Sequence, residues 1–162
     1  MARTIGLLLP EAAHFPAANF PQLLATNRRP ALAFDASTAE TAYWTFPAVQ
    51  GITTPLTAIV TYAMASATSG GVAFDAAVEA ISDGDAVDTD ATTSFDTANT
   101  GTAASVPGTA GYIDQVSVTL TNADGIAAGD LCRLSLARAV ANAADTATGD
   151  CYVFAVEIRD AA

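Results

Sequence analysis

Hydrophobic and polar residues alternate with a period of two along most of the chain after residue 31. Six segments show this alternation, and within each segment the larger apolar residues share one parity. These residues are Trp44 and Phe46; Val60, Tyr62 and Met64; Val72, Phe74, Ala76 and Val78; Val116, Val118 and Leu120; Cys132, Leu134 and Leu136; and Tyr152, Phe154, Val156 and Ile158. A period of two with one apolar face is typical of antiparallel sheets that are buried on one side. A shorter run at 31–35 and a weaker one at 93–97 bring the expected number of strands to eight.

Turn-forming residues separate these segments, as at Ser69-Gly70-Gly71, Pro107-Gly108 and Asp124-Gly125. The pattern predicts an all-β fold, an antiparallel β-sandwich with a jelly-roll-like topology. An alanine-rich helical bundle is the competing interpretation, because 38 of the 162 residues are Ala and Ala has a low strand propensity. The alternation argues against the bundle.

The first 30 residues have a different composition. They contain Pro10, Pro16, Pro21 and Pro30, and Phe15 and Phe20 each stand directly before a proline. Proline fixes φ and pushes the preceding residue toward extended geometry, whereas the apolar residues of this stretch are too numerous for a solvated tail. We therefore predict an extended arm over residues 1–30 and a β-sandwich body over residues 31–162. The arm lies in a groove, either on its own body or on a neighbouring subunit.

Charge follows the same boundary. Residues 1–30 hold three Arg and one acid, for a net charge of +2, and residues 31–162 hold three Arg and sixteen acids, for −13, which together give the formal −11. A chain without Lys and with this acidic body lacks the clustered cations that bind a phosphate backbone, so we expect no nucleic-acid partner. No apolar run is long enough to span a bilayer, so we expect no membrane partner either.

Candidate catalytic residues are few. His14, the only histidine, lies in the arm, and no Ser stands in the setting of a nucleophile elbow. Cys132 and Cys151 fall on different strand parities. A hairpin around residues 139–149 would place Cys132 opposite a residue near 156, so we expect two free, buried thiols. We predict no enzyme and no cofactor.

The loop from residue 83 to residue 90 is the one candidate metal site. Asp83, Asp85, Asp88 and Asp90 place four carboxylates in eight residues, and calcium prefers six to eight oxygen ligands. The order of acids and glycine differs from that of an EF-hand, and most such runs are solvated loops. We therefore keep this loop only as a weak calcium candidate.

A small acidic β-sandwich, rich in Ala and Thr and with an apolar N-terminal arm, resembles the head decoration (cement) proteins of tailed bacteriophages. The resemblance extends over nearly the whole chain. It is carried by Phe15-Pro16, Asn19-Phe20-Pro21-Gln22-Leu23, Asn27-Arg28-Arg29-Pro30, Ala31-Leu32-Ala33-Phe34-Asp35-Ala36, and the strand openings Gly129-Asp130 and Gly149-Asp150.

The resemblance implies a trimeric jelly roll that binds the major capsid protein on the outer capsid surface of a virion, after synthesis in the host cytoplasm. The expected partners are the major capsid protein and further copies of the chain. The expected contact residues are Phe15, Phe20, Pro21, Leu23, Leu24, Arg28, Arg29 and Tyr43. Deletion of residues 1–30 is expected to abolish attachment and to leave the body folded. The alternative is a receptor-binding or carbohydrate-binding head of a tail fibre, in which Tyr43, Tyr62 or Tyr112 stacks on a sugar.

Overall fold

The computed structural model describes residues 2–25, 29–90 and 93–161, so the predicted contact residue Arg28 lies outside the described residues. The strands are β1 (Thr4–Leu8), β2 (Gln22–Leu24), β3 (Ala31–Phe34), β4 (Thr41–Pro47), β5 (Leu56–Met64), β6 (Gly71–Val72), β7 (Phe74–Ile81), β8 (Asn99–Thr100), β9 (Ala104–Ser105), β10 (Ile113–Leu120), β11 (Leu131–Arg138) and β12 (Cys151–Arg159). A 3-10 turn occupies Pro10–Ala12. Within the described residues no helix is long and apolar enough to cross a membrane.

The strands form an antiparallel β-sandwich, which confirms the predicted fold class. One sheet has the order β10-β5-β12-β3-β2, with β1 added beside β12, and the other has the order β4-β11-β7-β8. A two-stranded ribbon of β6 and β9 lies outside both sheets. Successive long strands alternate between the two sheets, from β3 to β4, β5, β7, β10, β11 and β12.

The core lies between the sheets and is built from the predicted apolar parities. In β10, Val116, Val118 and Leu120 are buried while the residues between them are exposed. Burying side chains of this size stabilises the fold by roughly 1.5–3 kcal/mol each. Period-two alternation therefore identified the inner face of this strand correctly.

The prediction of a strand over 93–97 is wrong. This segment runs beside β7 without forming a strand ladder. The Asp96 backbone N–H donates to the Val78 carbonyl at 2.9 Å, and the backbone N–H and the hydroxyl of Ser94 donate to the Glu79 carboxylate at 2.6 and 3.1 Å. Among the described residues, the ladder on that edge of β7 is formed by the short β8, which pairs Asp75 with Thr100 and Ala76 with Asn99.

The predicted inner face of β12 is correct only in its second half. The register of β12 against β5 shifts between Val153 and Ala155, and a β-bulge of this kind turns the following residues to the opposite face. Val156 and Ile158 belong to the core as predicted, but Val153 takes the inner position in the first half. Tyr152 and Phe154 therefore face outward, contrary to the prediction.

The strands of the two cysteines do not form the hairpin that would place Cys132 opposite a residue near 156. β11 belongs to the four-stranded sheet and β12 to the six-stranded sheet. Cys132 and Cys151 are both free and buried, and both reach the core because the bulge reverses the parity of Cys151. Burial raises the pKa of each thiol to about 12, so both are protonated at neutral pH.

The N-terminal segment lies on its own body. β1 pairs with β12 and β2 pairs with β3. Between them, the Trp44 indole N–H donates to the Leu9 carbonyl at 2.8 Å, and His14 forms a two-bond bridge with Tyr43. Of the two positions left open for the arm, the structure has the one on the same chain.

Candidate interaction site

Exposed apolar side chains are concentrated in the N-terminal segment. Eight large hydrophobic residues are exposed among the described residues, and five of them lie between residues 7 and 23: Leu7, Leu9, Phe15, Phe20 and Leu23. Scattered single exposures are ordinary, whereas a contiguous apolar patch marks an interaction surface. This segment is therefore the first candidate for a binding surface.

Phe15, Phe20 and Leu23 lie around one groove of about 430 Å³, which we call the acidic groove. The two phenyl rings are 5.5 Å apart and tilted by 36°, and Pro21 is buried beneath them. The groove is also lined by three half-buried acids, Asp35, Glu40 and Asp150. An aromatic surface with a carboxylate rim is complementary to an apolar group that carries a positive charge.

The three acids meet because of the strand register. Cys151 pairs with Phe34, so Asp150 and Asp35, the residues next to this pair, come to the same end of β3. The Asp35 backbone N–H donates to the Glu40 carboxylate at 2.8 Å. Asp35 itself accepts hydrogen bonds from Ser37 and Thr38.

These contacts set the charge of the groove. The hydrogen bonds from the Ser37 hydroxyl and backbone N–H, together with that from Thr38, lower the pKa of Asp35 to about 2. Burial raises the pKa of Glu40, the Asp35 N–H opposes this, and the charges of Asp35 and Asp150 add to the rise. Among the described residues, none of the three acids forms an ion pair.

A second groove, of about 650 Å³, lies on the outer face of the same sheet and extends to Ala31 at the start of β3, and we call it the Arg29 groove. Leu24, Ala31 and Met64 contribute to it, and Tyr152 and Phe154 reach it because the bulge turns them outward. Arg29 lies on its edge and is exposed. Among the described arginines, Arg29 alone has no acidic partner, because the others pair as Arg3–Asp160, Arg133–Glu79, Arg138–Asp145 and Arg159–Glu157.

Tyr43 lies on the outer face of the four-stranded sheet and takes no part in either groove. Its ring stacks on Phe95, with centroids 5.5 Å apart and an interplanar angle of 17°, and the Arg133 guanidinium lies 5.0 Å from the Phe95 centroid. Tyr62 is buried and its hydroxyl donates to Asp114 at 3.2 Å, whereas Tyr112 is exposed in a loop. The three tyrosines proposed for sugar stacking therefore do not share one surface.

The carboxylate of Glu79 beneath this aromatic cluster predicts a pH dependence of stability. Burial raises its pKa, but the hydrogen bond and charge of Arg133 and the two donors of Ser94 outweigh burial, so the pKa lies below its ordinary value. Glu79 therefore stabilises the fold above its unfolded pKa, and this contribution is lost as the pH falls through the folded pKa. We expect Glu79→Gln to cost about 1–2 kcal/mol at pH 7.

The difference in unfolding free energy between the wild type and Glu79→Gln should shrink between roughly pH 5 and pH 3. Urea denaturation at pH 7, 5, 4 and 3 measures this difference. A difference that stays constant over the range would contradict the assignment of the pKa shift to Glu79.

The weak calcium candidate lies in an exposed loop. The Asp85 carboxylate accepts from the Ser82 backbone N–H, and Asp88 accepts from the Asp90 backbone N–H; Asp83 is exposed at the tip of the turn. Over residues 2–25, 29–90 and 93–161, no three His, Cys, Asp or Glu side chains are grouped closely enough to hold a metal ion. His14 is exposed, and its backbone forms the bridge to Tyr43.

The sequence analysis named the aromatic and apolar residues that line the two grooves from the N-terminal segment, but it named none of the acids of the acidic groove. Phe15, Phe20, Pro21 and Leu23 come together as a patch, and Leu24 and Arg29 meet at the neighbouring groove. The acids Asp35, Glu40 and Asp150 and the outward-facing Tyr152 and Phe154 were not predicted. One signal was available for the last two: from Cys151 to Val156 both parities are apolar, which is a pattern that a bulge can produce.

The sequence matches no protein-family model and no curated protein at a significant level.

Proposed function

We propose that the chain is a virion structural protein that decorates the outer surface of a phage head and stabilises the shell. In this proposal it binds the major capsid protein through the exposed apolar residues of its N-terminal segment, and it associates with further copies of itself, as a trimer. The observation that carries the proposal is the placement of Phe15, Phe20 and Leu23, which are exposed on the surface of an otherwise acidic body.

Two further observations support the same proposal. The strand orders β10-β5-β12-β3 and β4-β11-β7-β8, with successive long strands alternating between sheets, agree with a jelly-roll topology. The sandwich is held by many non-local strand pairings and by a core of large apolar side chains. Many equivalent weak contacts on one shell add through avidity, so a small patch on each copy is sufficient.

Point substitutions in the patch test the proposal. We expect Phe15→Ser combined with Phe20→Ser to reduce binding to undecorated heads of the phage that encodes the chain by at least tenfold. Both rings are exposed, so their loss removes contact area with the capsid or with the further copies that make attachment multivalent. Tyr112→Ser is the matched control, since Tyr112 is exposed to a greater degree but lies far along the chain. Co-sedimentation with purified heads measures binding, and electron microscopy of the native particle locates the chain.

Equal binding by the double variant and the control would contradict the proposal. Binding of glycans by the isolated chain, lost on changes in the loop at 83–90 or at Tyr112 and retained in the double variant, would favour the receptor-binding alternative instead.

A further inference from the structure

The acidic groove is an unfilled surface with a defined complement. Phe15, Phe20 and Leu23 are each more than a third exposed, and the three acids on the rim lack a cation among the described residues. A group that covers the rings without a positive charge would remove these carboxylates from water without compensation, which is costly. The occupant must therefore bring apolar surface and a cation together.

The chain itself presents such a group in the corner formed by Leu24 and Arg29. Arg29 is the one described arginine without an acidic partner, and Leu24 lies beside it in the same groove. A guanidinium is weakly hydrated, pairs with carboxylates through several donors and stacks on aromatic rings, so it suits a groove made of two phenyl rings and three acids.

Within one copy, the length of β3 separates the Arg29 guanidinium from the Asp35 carboxylate. Arg29 precedes the first residue of this strand and Asp35 follows the last one, and four strand residues span about 13 Å. No ion pair joins Arg29 to an acid in the described residues. A contact between the corner and the groove is therefore available only between two copies.

We propose that the acidic groove binds the Leu24–Arg29 corner of a second copy of this chain. The proposal rests on the self-association suggested above and assigns the surfaces that carry it. Phe15, Phe20 and Leu23 contact the second copy, and Leu7 and Leu9 of the same segment remain exposed for the capsid. Because the two surfaces differ, the contact is head-to-tail, and a head-to-tail contact that closes on itself gives a ring such as a trimer. Copies that each carry −11 repel one another unless the contact pairs opposite charges.

Charge reversal on each side of the contact tests the proposal. We expect Arg29→Glu and Asp150→Lys each to weaken association at least tenfold, and the double variant Arg29→Glu/Asp150→Lys to recover most of it, because the pair is restored with its signs exchanged. Asp150 suits the substitution because its carboxylate makes no hydrogen bond within the described residues. Asp83→Lys is the control, with the same change in net charge at an exposed loop. Sedimentation velocity and light scattering from 5 to 200 µM, in low and high salt, measure the assembly.

Several results would overturn the proposal: a wild type that is monomeric over this range, equal effects of Asp150→Lys and Asp83→Lys, or a double variant no better than either single one. A thermal melt of each variant shows whether it is folded, and Glu40→Gln provides a milder second change to the same rim. Head binding is measured separately. A wild type that assembles through the groove but does not bind heads retracts the decoration function and leaves this contact standing. A wild type that is monomeric but binds heads overturns this contact and leaves the decoration function standing.

Discussion

Replacing Arg138 with Met is expected to lower the free energy of unfolding by about 3–5 kcal/mol, because it leaves a buried carboxylate without its cation. The side chains of Arg138 and Asp145 are 0% and 1% exposed, and Nη2 of Arg138 lies 2.8 Å from Oδ1 of Asp145. Arg138 is the last inward-facing residue of β11, and its aliphatic stem occupies a position that an apolar side chain would otherwise fill. Nothing else in the described residues offers Asp145 a positive charge at hydrogen-bond distance.

The same network orders the loop that follows β11. The Arg138 guanidinium also donates to the carbonyl oxygens of Ala147 and Gly149, and Asp145 accepts from the Ala73 backbone N–H at 3.0 Å. The loop leads directly into Asp150, one of the three acids of the acidic groove. Loss of Arg138 is therefore expected to disorder that rim as well as to destabilise the fold.

Two comparisons isolate the effect of the uncompensated charge. Arg159→Met makes the same change in a partly exposed ion pair with Glu157 and is expected to cost far less than Arg138→Met, because water screens the pair. Arg138→Met combined with Asp145→Leu removes both charges, and we expect it to be more stable than Arg138→Met alone. Urea denaturation of the four proteins gives the values. A loss in Arg138→Met no larger than that in Arg159→Met would show that burial of the pair does not determine its contribution.

The sequence predicted those parts of the fold that depend on one strand at a time. Val116, Val118 and Leu120 fall on the inner face because alternation and burial are the same property of a single strand. The pairing of strands depends on partners far along the chain, and alternation specifies faces without specifying neighbours. For this reason alternation did not show that β11 and β12, which follow one another along the chain, lie in opposite sheets.

The bulge in β12 shows the second kind of limit. One extra residue in the strand exchanges its inner and outer faces. No particular amino acid is required at the bulge, so the sequence does not mark its position. The inward position of Arg138, by contrast, follows from the sequence pattern, because Arg138 continues the parity of Cys132, Leu134 and Leu136. A charged side chain on the inner face of a strand implies a buried partner. The identity of that partner, Asp145, depends on how the loop folds back.

In the candidate site, too, the residues of one segment could be predicted and those brought together by strand pairing could not. The aromatic patch comes from one proline-rich segment, so composition alone identified it. The acids Asp35, Glu40 and Asp150 come from three separated positions, and only the pairing of Cys151 with Phe34 brings two of them together. Composition gave the total charge of the body, and the register determined where that charge meets the aromatic rings.

Deletion of residues 1–9 is expected to lower the free energy of unfolding by about 3–6 kcal/mol, the sum of one buried leucine and one buried donor left without its acceptor. Leu8 is 5% exposed and belongs to the core, and the Leu9 carbonyl is the acceptor for the Trp44 indole. β1 also covers one edge of β12.

This expectation differs from the sequence-based prediction that the body stays folded without residues 1–30, since that deletion removes β2 as well. Thermal melting and hydrogen exchange of the β12 amides measure the effect, with Leu7→Ser as the control because Leu7 is 61% exposed. A truncated chain that melts with the wild type and keeps the β12 amides protected would mean that the segment is an independent arm after all. If the deletion unfolds the chain, its failure to bind a capsid carries no information about contact, and only substitutions of exposed residues such as Phe15 and Phe20 can separate attachment from folding.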